Sequence, residues 1–299
     1  MTKFIPMYGL KGIFYSFFHS ISAFCNAGFD ILGPNSLIDI NTNFFIMLVI
    51  GLLIVIGGIG FNVILDVLHN GFDFQKYSLH SKIVLTTTVL MLSITSVLIL
   101  AMEFLNPETI GNLSLADKIS NSVFQAVTLR TAGFASIDQS KLLDSSSVLS
   151  ILNMFIGGSP AGTAGGIKTT TFALLIIVAL SEIKGQEDVE VFNRRIRFSQ
   201  VKKALAIITL SMVWVIFVTF AILVIDKAKY LDVVYEVVSA FGTVGLTRSL
   251  TPTLNIISKI LIISTMYIGR VGSLTILFAL SNTKNKKAYK EAHENIIIG

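Results

Sequence analysis

Cysteine, histidine and charge are all scarce in this 299-residue chain. The single cysteine, Cys25, excludes an internal disulfide framework. The four histidines show no HExxH spacing and there is no CxxC motif, which excludes an obvious metal centre. Charged residues make up 14% of the chain against 53% apolar, and mean hydropathy is +0.76. A soluble protein of this size could not keep that much apolar surface out of water, so the bilayer is the expected solvent. A membrane enzyme would need a convergent acid, base, nucleophile or metal set, and the sequence offers none.

Long apolar runs are what the chain does have. A spanning helix takes roughly 20 mostly apolar residues, and stretches at about 44 to 68, 83 to 103, 147 to 181, 204 to 226 and 255 to 281 qualify. None reads as a secretory signal. Lysine and arginine set the orientation: Lys184, Arg194, Arg195, Arg197, Lys202 and Lys203 lie between the third and fourth runs, and Lys284, Lys286, Lys287 and Lys290 lie in the tail. Both regions are expected to be cytoplasmic, as is the loop with Lys76 and Lys82 two spans earlier. The net charge of +5 is therefore a topology signal before it is a sign of nucleic-acid binding, which is not expected. Residues 1 to 43 then fall outside with no preceding span to carry them there. The sequence thus reads as lacking an N-terminal portion.

Three segments resemble one another: FHSISAFCNAGF (Phe18 to Phe29), FQAVTLRTAGF (Phe124 to Phe134) and YEVVSAFGTVGL (Tyr235 to Leu246). Each reads as a short apolar helix ending in a turn at Gly28, Gly133 or Gly245, placed before a spanning run. Such helices are too short to cross roughly 30 Å of hydrocarbon, so they are expected to enter from outside and return. Backbone without helical hydrogen bonds survives at that depth only around a cavity or packed in protein. There its carbonyl oxygens can face a dehydrated cation. The small neighbours Asn26, Ala27, Thr131, Ala132, Thr243 and Val244 permit close approach to a common axis, and the helix C-termini add negative potential. The competing reading, three extracellular linkers, does not explain why the pattern recurs.

The third apolar run is interrupted by IGGSPAGTAGGIKTT, whose glycines and Pro160 disfavour helix. The helix is expected to open there and face a cavity, as discontinuous helices in transporters do. A phosphate-binding loop counted from Gly162 would need glycine where Ile167 stands, so nucleotide binding is not expected here. Arg270 falls near the middle of the last run. A charge there costs about 2.5 to 3.5 kcal/mol on insertion scales, so it is expected to face the pore and to repel a permeating cation. Glu236 and Asp30 flank filter turns and read either as cation-concentrating charges at the outer mouth or as ordinary solvated loop charges.

The motifs CNAGFD, RTAGFASID, GGSPAGTAGGIKTTT, SAFGTVGLT and MYIGRVG resemble the Trk/Ktr/HKT superfamily of potassium transporters, most closely its bacterial Ktr B-type (sodium-ATPase J-type) membrane subunits. The resemblance covers essentially the whole chain. It implies an all-α membrane protein of repeated helix–pore-loop–helix units around a pseudo-fourfold pore, with three of the four filter segments present. Residues 1–70 would be the end of the second repeat, 71–200 the third with an interrupted second helix, 201–282 the fourth and 283–299 a cytoplasmic tail. It implies an ion filter of Asn26, Ala27 and Gly28; Thr131, Ala132 and Gly133; and Thr243, Val244 and Gly245. It also implies a flexible gate formed by Gly157, Gly158, Ser159, Pro160, Gly162, Gly165, Gly166 and Lys168 together with Arg270. The function implied is potassium uptake across the bacterial plasma membrane, with potassium as substrate and sodium as an activating or coupling ion. A homodimer in membrane lipid, docked on a cytosolic nucleotide-binding regulatory ring, is implied as well. A pore built from three sides is not expected to conduct alone. A non-conducting accessory subunit of a membrane ATPase is the alternative.

Overall fold

The structure, a computed structural model, describes residues 4–33, 35–186, 188–272 and 275. Eleven α-helices run through the described residues. A short α1 (Phe4–Tyr8) leads into α2 (Lys11–Phe24), followed by α3 (Phe44–Ile59), α4 (Phe61–Asn70) and α5 (Leu79–Glu103). Next come α6 (Leu115–Thr128), α7 (Asp144–Phe155), α8 (Thr169–Ile183), α9 (Phe198–Asp226), α10 (Tyr230–Gly242) and α11 (Ile256–Val271). Side-chain caps fix several starts: Ser78 accepts from the Ser81 amide at 3.2 Å, Ser114 from Asp117 at 3.2 Å and Asn255 from Ile257 at 3.1 Å.

Of the five expected spans, two are unbroken helices. With 25 and 29 residues, α5 and α9 reach about 38 and 44 Å at 1.5 Å per residue, enough for the hydrocarbon core. Their outer faces carry exposed Leu90, Ile94, Val97, Val213, Ile216 and Phe220, which suit lipid and not water. The described part of α11 is 16 residues long, and the third span is split into α7 and α8 as its glycines predict.

The first span departs from expectation. Residues 44 to 68 are not one helix: α3 and α4 meet at 97°. The cause is at Gly60, which has φ +97° and lies so close to Pro160 that a Cβ there would sit 2.4 Å from the Pro160 carbonyl oxygen. The Phe61 amide donates to the Ala161 carbonyl at 3.0 Å, so the bend is shaped by the interrupted segment of the third span. Asp66, on α4, accepts from the Ser78 amide at 2.9 Å and from Asn70 Nδ2 at 2.7 Å, tying the bent helix to the start of α5.

Two further differences are smaller. The loop between α8 and α9 holds a two-stranded antiparallel hairpin, β1 (Glu190–Val191) and β2 (Arg194–Arg195), in an otherwise helical protein. Helix α11 closes at Gly272, with φ +94°, so Arg270 stands in its last turn and not at the middle of an unbroken helix. The tail lysines lie outside the described residues.

The packed core surrounds the short helices. Val233, Tyr235, Val237 and Phe241 of α10 pack with Met154, Val218, Ile222 and Ile262. Phe124 and Val127 of α6 and Ala23 of α2 pack with Ile46, Ile50 and Ile54 of α3. Long helices thus serve as walls that hold three re-entrant helices, and the turns those helices end in, at a fixed depth.

Candidate functional site

Helices α2, α6 and α10 end at the three recurring turns, and each turn has the same backbone handedness. Its first and third residues have positive φ: Asn26 +49° and Gly28 +69°, Thr131 +67° and Gly133 +85°, Thr243 +53° and Gly245 +93°. The middle residues, Ala27, Ala132 and Val244, are not among the positive-φ residues. Threonine is β-branched and rarely left-handed, so two such residues at matching positions store strain of about 1 to 3 kcal/mol each. Alternation in the sign of φ swings successive peptide planes the same way, so their carbonyls need not alternate sides as in a strand.

The turns lie against one another. A Cβ on Gly28 would be 2.3 Å from the Ala132 carbonyl oxygen, and one on Gly133 would be 2.1 Å from that of Val244. A Cβ on Gly245 meets nothing within 4 Å among the described residues. The first turn thus touches the second and the second the third, and among the described residues no such contact is made at Gly245.

Hydrogen bonds hold the turns by their amides and outer ends. The Ala27 amide donates to Ser22 O at 2.9 Å, Ala132 to Thr128 O at 3.0 Å and Val244 to Ser239 O at 2.8 Å. The Ser22 hydroxyl donates to Phe29 O and the Thr128 hydroxyl to Phe134 O, each at 2.7 Å, which ties the chain beyond each glycine back to its own helix. No hydrogen bond from a described residue reaches the carbonyls of residues 26–28, 131–133 or 243–245. Asn26, Thr131, Ala132 and Val244 are buried, whereas Ala27 and Gly245 are exposed.

Residues 156–168 are packed against the inner ends of these turns. A Cβ on Gly165 would lie 2.2 Å from Thr243 Oγ1, and one on Gly157 would lie 3.0 Å from Thr131 Cγ2. The segment is pinned by its own backbone, Gly157 N to Ile167 O at 2.8 Å and Thr169 N to Gly158 O at 3.1 Å. It is also pinned to α3, with Ser159 N donating to Gly58 O at 2.9 Å and Thr163 N to Gly57 O at 3.2 Å. Lys168 Nζ donates to Ala164 O at 2.6 Å, and Arg270 Nη1 donates to the Thr163 carbonyl. Gly162 approaches Gly58 O, Gly166 approaches Gly242, and Pro160 fills the notch at Gly60. The 156–168 segment thus touches the second and third turns, α3 and Arg270. Among the described residues no cluster of histidine, cysteine and carboxylate could hold a resident metal.

Glu236 differs from its expected place. It is 6% exposed and accepts from the hydroxyls of Thr247, at 2.6 Å, and Thr251, so it braces the chain leaving the third turn and is not an ordinary solvated loop charge. Sequence reasoning also missed three other groups. Buried Gln125, Gln139 and Tyr235 form a network across two re-entrant helices, with Gln125 Nε2 to Gln139 Oε1 at 2.7 Å and Tyr235 OH to the same oxygen at 2.8 Å. A glutamine in an apolar re-entrant helix was the one available signal. Arg130, next to Thr131, is buried with Nε and Nη2 unpartnered among the described residues.

Arg248 is the third. It pairs with Asp232 at 2.8 Å and donates to Gln139 O at 3.3 Å, Leu142 O at 3.4 Å and the Ser147 hydroxyl, clamping the second turn's exit to the third. Both side chains are partly exposed, at 11% and 23%, so removing one partner costs less than the ~3 to 5 kcal/mol of a fully buried pair but more than for an exposed one. Arg248→Met should therefore lower the thermal midpoint of the detergent-solubilised protein far more than Arg195→Met, whose pair with Asp188 is exposed. Equal midpoints for the two variants would remove the clamp from the account.

A family profile described as TrkH, cation transport protein, matches residues 2–290. The Ktr system potassium uptake protein B of Bacillus subtilis is 42% identical over 283 residues, covering 94% of this chain and 63% of that protein. The potassium/sodium uptake protein NtpJ of Enterococcus hirae is 42% identical over 303 residues, covering 99% of this chain and 66% of that protein. The chain thus spans just under two thirds of the length of these relatives. The crystal structure of the potassium transporter TrkH from Vibrio parahaemolyticus superposes with a TM-score of 0.73 at 17% identity, over 90% of this chain and 58% of that one. That likeness concerns the fold: helix–pore-loop–helix units arranged around one axis.

Proposed function

The chain belongs to the TrkH cation transport protein family, and we propose that it forms most of a pore that takes potassium into the cell. It is a multi-pass protein of the bacterial cell membrane, and its relatives are transporters and not enzymes. The observation that carries the proposal is the convergence of three left-handed turns whose carbonyls accept no hydrogen bond from the described residues. Residues 26–28, 131–133 and 243–245 are the filter: their oxygens replace the hydration shell of an alkali ion. The membrane potential supplies about 2.3 kcal/mol per charge per 100 mV, so a selective, gated path is sufficient for accumulation.

Residues 156–168 and Arg270 are the gate. The segment lies across the inner ends of the filter turns, and its contact with the guanidinium puts positive charge on the exit route. Opening requires its bonds to Gly57 and Gly58 to exchange for others. A fourth wall, from a further segment of the native chain or from another polypeptide, closes the ring beside Gly245. Sodium acts as an activating or coupling ion, a reading suggested by the potassium/sodium uptake relative. The protein assembles as a homodimer on a cytosolic nucleotide-binding regulatory ring that meets the basic inner loops. An accessory subunit without a pore would have no use for three strained turns on a common axis.

The test is growth of a strain stripped of its own potassium uptake, carrying the native gene that encodes these residues. Rescue at low potassium, stronger with sodium than with choline in the medium, is the expected result. No rescue by a membrane-inserted product would overturn the reading, and rescue independent of sodium would remove the sodium role.

A further inference from the structure

Helices α5, α7 and α8 enclose a lateral groove of about 570 Å3. Its walls are apolar, with Leu90, Ile94, Leu152 and Ile176 among them, and one end is closed by Val191 and Phe192 of the hairpin. Asn153, Ile156 and Phe172 also line it, and these stand where α7 and α8 give way to the 156–168 segment. The groove therefore touches both hinges of that segment.

Two cations stand at the hairpin end. Arg194 is the direct cross-strand partner of Val191, so its side chain leaves the same face of the ribbon as a residue lining the groove. Lys82 Nζ lies 5.7 Å from the centre of the Phe74 ring, which packs edge-on against Phe192 at 6.0 Å. Arg195 is neutralised by Asp188 at 2.6 Å, whereas neither Arg194 nor Lys82 has an ion pair among the described residues. This end faces the cytoplasmic leaflet, whose anionic lipids attract basic groups.

We propose that the groove binds an anionic phospholipid of the inner leaflet, one acyl chain between α5, α7 and α8 and its phosphate between Arg194 and Lys82. A hydrocarbon chain suits walls that offer water few polar partners. A second copy of the chain suits the groove less well, because a twofold contact centred there would set these cations against their own images. The acyl chain presses on both hinges of the 156–168 segment, so occupancy shifts how readily that segment moves. This last step rests on the gating role proposed above, whereas the binding does not.

Native mass spectrometry of the purified protein, offered phosphatidylglycerol and phosphatidylcholine, tests the binding. Preferential retention of phosphatidylglycerol is expected. The double variant Arg194→Gln, Lys82→Gln should weaken it about thirtyfold, the loss of two headgroup contacts. Leu152 is 58% exposed, so Leu152→Trp can fill the groove without disturbing the core and should abolish retention of both lipids. Equal retention by all variants, or cross-linking of two copies through a cysteine placed at Leu90 with no lipid released by Leu152→Trp, would overturn the site. Flux in vesicles with and without phosphatidylglycerol tests the coupling. Equal flux despite preferential binding would overturn it, while absence of flux in every vesicle would fail the transport reading and leave the site standing.

Discussion

Gly133→Ala should abolish potassium uptake while leaving the protein in the membrane. Gly133 has φ +85°, and the new methyl would sit 2.1 Å from the Val244 carbonyl oxygen, a backbone atom that cannot swing aside. Either the second turn or the third must move, and both carry the oxygens proposed to bind the ion. Strain of about 1 to 3 kcal/mol from handedness alone is added to the steric clash. If about 3 kcal/mol of ion stabilisation is lost, uptake falls about a hundredfold. Gly71→Ala is the control: its φ of +59° is also left-handed, but a methyl there meets nothing within 4 Å. Near-normal uptake by the Gly71 variant and loss in the Gly133 variant, at equal membrane levels, is the expected pair. Normal uptake by both would mean that the contact between turns is irrelevant to transport.

Arg270→Ala should have the opposite sign, raising cation flux and weakening discrimination against sodium. A fixed charge about 8 Å from a monovalent ion costs it about 2 kcal/mol at an effective dielectric of about 20. That corresponds to about thirtyfold in rate. The same guanidinium also donates to the Thr163 carbonyl, so its removal frees the segment packed against the turns. Arg270→Lys separates the two causes, since lysine keeps the charge and lacks the planar fork. Low flux in the lysine variant assigns the barrier to charge, and alanine-like flux assigns it to the hydrogen bond. Unchanged flux in both folded variants would take Arg270 out of the pathway.

Much of this geometry was written in short-range patterns. The re-entrant turns were legible because a glycine closes each of three similar segments, and left-handed backbone at those glycines is what a tight helix exit needs. The break after Phe155 was legible because glycines crowd around Pro160. What was not legible depends on partners distant in sequence. The bend at Gly60 is shaped by Pro160 and Ala161, about a hundred residues later, and although Gly57, Gly58 and Gly60 crowd the run there, their partners are not visible locally. Glu236 resembles a solvated loop charge until Thr247 and Thr251 fold back onto it. The interruption at Gly272, two residues after Arg270, was not legible because the apolar run continues through it. Gln125, Gln139 and Tyr235 are each unremarkable alone and become a network only when two re-entrant helices stand side by side.

The most direct measurement is anomalous diffraction from crystals soaked in thallium(I), a heavy stand-in for potassium. The account predicts a peak on the shared axis, within coordination distance of peptide oxygens from residues 26–28, 131–133 and 243–245, and its loss in Gly133→Ala. Thallium bound only at carboxylates away from the turns, with nothing between the three turns, would contradict it.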